Sequence, residues 1–158
     1  MLSINLPTKL NLYTPVLLAF LCTGCTPEQQ AETDLPPSIL VEDTSLCNFS
    51  QAPCNKQVTG INLLLLVTPF NTPSGKPLTI KLASSEAISD VKMRVEGRDM
   101  FMGVIPVNLS KLNEKQYNGT LIYGSCSSNY MVWRAFVSFT HKGESHVTHF
   151  DFLADSGE

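Results

Sequence analysis

Methionine and cysteine are the residues of this 158-residue chain whose types and spacing indicate the most specific chemistry. Met100 and Met102 are separated by one residue, and in an extended strand such residues point to the same face, about 6.6 to 6.8 Å apart. Cys126 and Met131 lie in one predicted loop, SCSSNYM, which could bring a thiolate and a third thioether nearby. Soft sulfur ligands select Cu(I). We therefore predict a Cu(I) site, and no other cofactor, with these ligands: Met100, Met102, Cys126 and Met131.

A structural interpretation of the same methionines stays open. Methionine is a common filler of irregular gaps in β-sandwich cores, and a Met-x-Met pair on an apolar face is typical of packing. In that case Met100 and Met102 would be interior. Their replacement by leucine would then cost less than about 1.5 kcal/mol, because the two side chains have similar volumes.

Catalytic and nucleic-acid-binding functions lack a signature in the sequence. The chain has no Ser-His-Asp order, nucleophile elbow, P-loop or dinucleotide fingerprint, so we expect a protein that is not an enzyme. His146 and His149 differ by an odd number of positions and should face opposite sides of a strand, which argues against a zinc site that also uses His141. The formal net charge of −3 argues against nucleic acid as a partner.

The N-terminal residues predict a lipoprotein signal peptide over 1–24. The apolar run 10–21 is too short to remain as a membrane-spanning helix. Gly24-Cys25 resembles the bacterial lipobox, in which the cysteine is diacylated and becomes the new N-terminus, although Cys22 stands where that motif usually has leucine. An ordinary signal peptide with Cys25 unmodified is the alternative. We expect a lipid-anchored protein of the bacterial envelope that faces the periplasm, on either the inner or the outer membrane.

The remainder of the chain predicts strands. Residues 25–45 are polar and proline-bearing, which is typical of a flexible tether. From residue 57 onward the apolar residues alternate or form short runs between turn residues. The pattern predicts an all-β, antiparallel, immunoglobulin-like β-sandwich over 46–158. About seven strands are expected, at 61–67, 78–82, 91–95, 104–109, 120–123, 131–139 and 146–152. Turns are expected at 118–119 and 141–144, and a helical turn within 108–116.

Three cysteines remain after the predicted signal peptide and the acylated Cys25. An oxidising compartment favours their pairing. Cys47 and Cys54 enclose only six residues, NFSQAP, and we predict that they form a disulfide. The alternative is a bond between Cys126 and one of these two.

A resemblance extends over roughly residues 60–152. The run V-x-M-x-V-x-G-x-D-M-x-M-G at 91–103, followed by Cys126, Met131-x-Trp133 and a closing Phe150-x-Phe152, resembles an uncharacterised family of bacterial envelope lipoproteins. More distantly it is similar to YtkA/FixH-like immunoglobulin-like domains. That likeness implies metal handling, a partner such as a cytochrome oxidase assembly component, and copper-facing positions at Met100 and Met102.

This chain departs from the resemblance in lacking a histidine beside its Met-Gly element. A second function therefore stays open. It is a protein-interaction lipoprotein without metal, such as an assembly factor or inhibitor, in which the methionines are purely structural.

Overall fold

The computed structural model describes residues 43–124 and 131–155, which form two packed antiparallel sheets. One sheet has the order β1-β2-β3-β7-β6 and the other β5-β4-β8-β9. The predicted all-β antiparallel sandwich is confirmed. The strands are β1 (Cys54–Val58), β2 (Ile61–Thr68), β3 (Leu78–Ser84), β4 (Ser89–Gly97), β5 (Val104–Val107), β6 (Leu109–Asn113), β7 (Gln116–Leu121), β8 (Val132–His141) and β9 (Glu144–Leu153).

The strand order is that of an immunoglobulin-like domain. Strands β2-β3-β7-β6 take the places of A-B-E-D in the immunoglobulin sandwich, and β5-β4-β8-β9 take those of C′-C-F-G. Strand β1 is an addition that lies beside β2 at the edge of the first sheet. The sequence pattern left this topology open, because alternation identifies strands but not their neighbours.

The core lies between the sheets and is filled by the inward-facing residues of each strand. In β2 the inward residues are fully buried and the intervening ones are more exposed, as the predicted alternation requires. Strands β8 and β9 pair over their whole length, which places Ala135 opposite Phe150 and Trp133 opposite Phe152. Tyr123 stacks on Trp133 with ring centroids 4.8 Å apart, and its hydroxyl donates to the Thr72 carbonyl oxygen.

The structure has nine strands where about seven were expected. The predicted strand 104–109 is two strands, since the chain leaves the second sheet after Val107 and joins the first sheet at Leu109. A change of sheet keeps the apolar alternation intact, so the sequence pattern does not reveal it. Gly119 makes room for the crossing: a Cβ there would lie 3.0 Å from the Asn108 carbonyl oxygen. Strand β1 was missed because its sequence, CNKQV, is largely polar.

Two local predictions between β5 and β7 were wrong. Residues 108–116 form no helical turn; they contain β6 and the tight turn into β7. Residues 118–119 lie inside β7 and not in a turn. The predicted turn at 141–144 is confirmed, with Lys142 and Gly143 both at positive φ, which matches the right-handed twist of the hairpin.

The predicted disulfide between Cys47 and Cys54 is confirmed, so Cys126 pairs with neither of them. Leu46 forms a parallel bridge with Asp151, and the Cys47 amide donates to the Asp151 carbonyl oxygen at 2.7 Å. The segment before β1 thus extends the edge of β9 in the second sheet. The disulfide ties this segment to the first residue of β1, in the other sheet.

We expect loss of this disulfide to destabilise the domain by about 2.5 kcal/mol, because an eight-residue ring restricts the unfolded chain by that amount. The measurement is urea unfolding of a Cys47→Ser/Cys54→Ser double variant. Cys126→Ser is the matched control and should leave the contribution of the Cys47–Cys54 disulfide to the free energy of unfolding unchanged. Equal stability of the double variant and the wild type would contradict the expectation.

Candidate functional site

The predicted ligands among the described residues lie at one end of the sandwich. We call it the loop end; there the chain passes from β2 to β3, from β4 to β5 and from β7 to β8. At the opposite end, the turn end, short connections join β1 to β2, β3 to β4, β6 to β7 and β8 to β9. Segments from both sheets are in contact at the loop end. The hydroxyl of Thr72, which follows β2, donates to the carbonyl oxygen of Leu153, the last residue of β9, at 2.6 Å.

The β4–β5 loop, residues 98–103, contains Met100 and Met102. These residues lie in a loop and not in a strand. The strand geometry from which their shared face was predicted therefore does not apply to them. The loop is fixed at its start, where Gly97 pairs with Trp133 and the Arg98 amide donates to the Val132 carbonyl oxygen at 2.9 Å. Its first residue is therefore held against the beginning of β8.

Met131 packs against the base of this loop. A Cβ on Gly97 would lie 2.7 Å from the Met131 Cε and would also meet the Met100 carbonyl oxygen. The missing side chain of Gly97 lets the Met131 side chain and the backbone of Met100 approach the same point of β4. Met131 is 6% exposed and is held by its carbonyl oxygen, which accepts the Ala154 amide at 2.9 Å.

The loop methionines differ from Met131 in their exposure. Met100 is 46% exposed and Met102 37% exposed, and between them Phe101 is 83% exposed. The two thioethers can therefore meet a dissolved ion without unfolding of the domain. Met131 would supply a ligand from the buried side of Gly97.

The other predicted site residues divide into those outside the described residues and those elsewhere in the fold. Cys25 and Cys126 lie outside the described residues, so their roles stay predictions. His146 contacts Phe139 and His149 contacts Phe136, on opposite faces of β9, as their spacing indicated. Within residues 43–124 and 131–155, no three His, Cys, Asp or Glu side chains are grouped in a way that could hold a metal.

A chain of ion pairs beside the loop was missed by the sequence analysis. Arg134 binds Asp151 through two hydrogen bonds, from Nε at 2.7 Å and from Nη2 at 2.8 Å. Arg98 Nη1 lies 2.6 Å from Asp43 and 3.8 Å from Asp151, and its Nε lies 3.0 Å from Asp99. Arg98, the first residue of the loop, thereby holds the N-terminal segment. Alternation placed Arg134 and Asp151 on outer faces, but their pairing depends on register.

Two carboxyl groups of this network have lowered pKa values. Hydrogen bonds from Ser45 and then Arg98 lower the pKa of Asp43 to about 2. Burial is the largest single influence on the pKa of Asp151 and would raise it, but the hydrogen bonds from Arg134 and the positive charges of Arg134 and Arg98 together outweigh burial, and the pKa lies below its ordinary value. Both carboxylates therefore remain ionised well below neutral pH.

Trp133, which pairs with Gly97 at the base of the loop, has a buried polar group, its indole N–H. The indole is fully buried, and its Nε1 has no hydrogen-bond partner in the described part of the chain. Trp133 is the one tryptophan of the sequence, and it pairs with Gly97, against which Met131 packs. Its fluorescence is therefore a local reporter of events at the methionines.

Comparisons with known proteins give a structural similarity. No protein-family model matches the chain, and no curated protein matches it. The fold is similar to the crystal structure of a DUF4785 family protein from Legionella pneumophila, with a TM-score of 0.46 and 18% sequence identity. The similar region covers 60% of this chain and 28% of that protein, so the chain spans little more than a quarter of its length.

The described part of the chain contains no helix that is long and apolar enough to cross a membrane. Because no family model matches, membership of a lipoprotein family and the resemblance to YtkA/FixH-like domains stay predictions.

We expect Asp151→Asn to destabilise the domain by about 2–3 kcal/mol at pH 7, because hydrogen bonds between charged groups are lost. A carboxylate with a lowered folded-state pKa stabilises above its unfolded-state pKa, and that contribution is lost as pH falls through the folded-state value. The difference between variant and wild type should therefore shrink as pH falls below about 4, the ordinary pKa of an aspartate. Thermal unfolding across this range measures it. Glu144→Gln, which removes an exposed carboxylate, is the control, and a pH-independent difference would contradict the assignment.

Proposed function

We propose that this chain is a lipid-anchored protein of the bacterial envelope that faces the periplasm and binds Cu(I) without catalysing a reaction. The observation that supports the site best is the approach of Met131 to the β4–β5 loop. The side chain of Met131 and the backbone carbonyl of Met100 both lie against Gly97, although 31 positions separate the two methionines in the sequence. The loop that brings Met100 there also holds Met102.

The chemistry of this set suits Cu(I) better than the harder metal ions. Thioethers are soft, neutral ligands and need no deprotonation before they bind. Two of the three proposed thioether sulfur atoms belong to partly exposed side chains, so an ion could be taken up and passed on. Cargo exchange of this kind fits copper handling, with a cytochrome oxidase assembly component as the proposed partner.

The lipid anchor is proposed on Gly24-Cys25. The disulfide between Cys47 and Cys54 supports an oxidising compartment, since such bonds persist outside the cytoplasm. Membrane attachment would then depend on the acyl chains at one residue, Cys25.

We expect Cys25→Ser to release the protein from membranes into the soluble fraction, because acylation needs the cysteine thiol. Fractionation and flotation of the expressed full chain measure this. Cys22→Leu is the matched control: it removes a neighbouring cysteine, restores the usual lipobox residue and should leave the protein in the membrane. Membrane association of Cys25→Ser equal to that of the control would refute the anchor.

We expect Met100→Leu/Met102→Leu to weaken Cu(I) binding by more than about tenfold, because two of the three proposed thioethers are lost. Competition with a Cu(I) chelator measures the affinity, and Trp133 emission provides an independent reading. Met93→Leu is the matched control, since Met93 is buried in β4 and outside the loop. If the double variant and the control compete equally with the chelator, the loop methionines have no part in metal binding.

The same titration tests the predicted role of Cys126. Binding by thioethers alone should have the same affinity in mild acid and at neutral pH, whereas a thiolate ligand makes the affinity rise with pH. Cys126→Ser should abolish such a rise if the thiolate takes part.

One observation favours the second candidate function, a protein-interaction lipoprotein without metal, although the expectation that Met100 and Met102 are interior was wrong, because both are partly exposed. Phe101 is 83% exposed and lies between Met100 and Met102, which are also exposed, and a contiguous exposed apolar patch is typical of a protein-interaction site. For this candidate, Cu(I) binding would be absent in the wild type as well as in Met100→Leu/Met102→Leu.

A further inference from the structure

The two ends of the sandwich differ in their exposed apolar residues. Of the nine large hydrophobic residues exposed in the described part of the chain, three lie on outer strand surfaces: Leu64, Leu112 and Val147. The other six lie at the loop end: Phe70, Met100, Phe101, Met102, Val104 and Ile122. The connections of the turn end have no large hydrophobic residue exposed.

The most exposed of these residues, Phe101, lies in the β4–β5 loop. Residues 100–107, MFMGVIPV, contain no charged side chain. The charged residues that directly precede this run, Arg98 and Asp99, are paired with each other at 3.0 Å. The loop therefore presents an apolar tip above a base whose charges are compensated.

The N-terminal segment enters the domain at this same end. Asp43, the first described residue, binds Arg98 at 2.6 Å, so the chain arrives beside the base of the loop. The disulfide between Cys47 and Cys54 fixes the following residues to the first residue of β1, which is also at the loop end. Residues 26–42, between Cys25 and Asp43, can extend to at most about 60 Å.

We propose that the loop end faces the membrane and that Phe101, with Met100 and Met102 beside it, inserts into the lipid interface. This inference rests on the proposed acylation of Cys25. A short connection to a lipid anchor raises the effective concentration of the bilayer at the loop end, so a contact too weak to bind by itself becomes occupied. Aromatic and thioether side chains then exchange water for the boundary of headgroups and acyl chains.

The test uses a fluorescent reporter at the loop tip. Phe101→Trp is introduced into the full chain, and the acylated protein is reconstituted into vesicles of phosphatidylethanolamine and phosphatidylglycerol. We expect phosphatidylcholine brominated on its acyl chains to remove about half of the emission of the introduced indole, because interfacial residues reach the acyl boundary. The wild type, which has only the buried Trp133, gives the background. Val147→Trp, at an exposed site outside the loop end, should show no quenching.

Two further variants separate this inference from the proposed function. Met100→Leu/Met102→Leu, combined with Phe101→Trp, should retain quenching of the introduced indole, because leucine preserves the apolar tip while removing the thioethers. Phe101→Ser should keep the Cu(I) affinity of the wild type, because it leaves all the proposed sulfur ligands in place.

The outcomes are distinct. If the acylated protein does not float with vesicles, the anchor itself fails. If it floats but the introduced indole is insensitive to brominated lipid and as accessible to acrylamide as in a Cys25→Ser background, the anchor stands and the membrane-facing loop is overturned. A blue shift of the emission of this indole that depends on protein concentration and not on vesicles would assign the loop to self-association, and would also overturn it.

Discussion

Asp151 is a carboxylate on the outer face of β9 that is only 4% exposed, and its negative charge has to be compensated inside the protein. Arg134 supplies two hydrogen bonds from the neighbouring strand, and Arg98 adds a positive charge from the β4–β5 loop. The backbone carbonyl oxygen of Asp151 accepts a hydrogen bond from the Cys47 amide. One buried charge thus links two strands, the loop and the N-terminal segment, and the geometry of the loop end depends on it.

Close approach at Gly97 then determines what the loop can do. Because β4 has no side chain at this position, Met131 reaches the base of the loop from the core side. The side chains at the loop tip are exposed and do not fill the core, so packing does not determine their type. The two proposed roles are therefore separable by their chemistry: metal binding would use the sulfur atoms of the methionines, and lipid contact would use the apolar surface of the loop, which leucine at positions 100 and 102 would preserve.

The exposed loop end of the sandwich presents an apolar contact surface. An ion pair links Arg98 to Asp43 at the base of the loop, and apolar side chains are exposed at its tip. A cargo ion held beside the membrane interface would be close to membrane-embedded acceptors, which is consistent with the proposed place in copper handling.

The sequence by itself determined most of the strands and their inward faces and favoured the Cys47–Cys54 pair, because alternation and short cysteine spacing are local properties of the chain. It did not determine that residues 104–109 change sheets, since both sheets accept the same alternation, nor that Met100 lies in a loop. Only the tertiary structure decided that Met131 meets the loop at Gly97 and that Arg134 opposes Asp151. Those contacts depend on strand order and register, which are set by long-range packing between segments far apart in the chain.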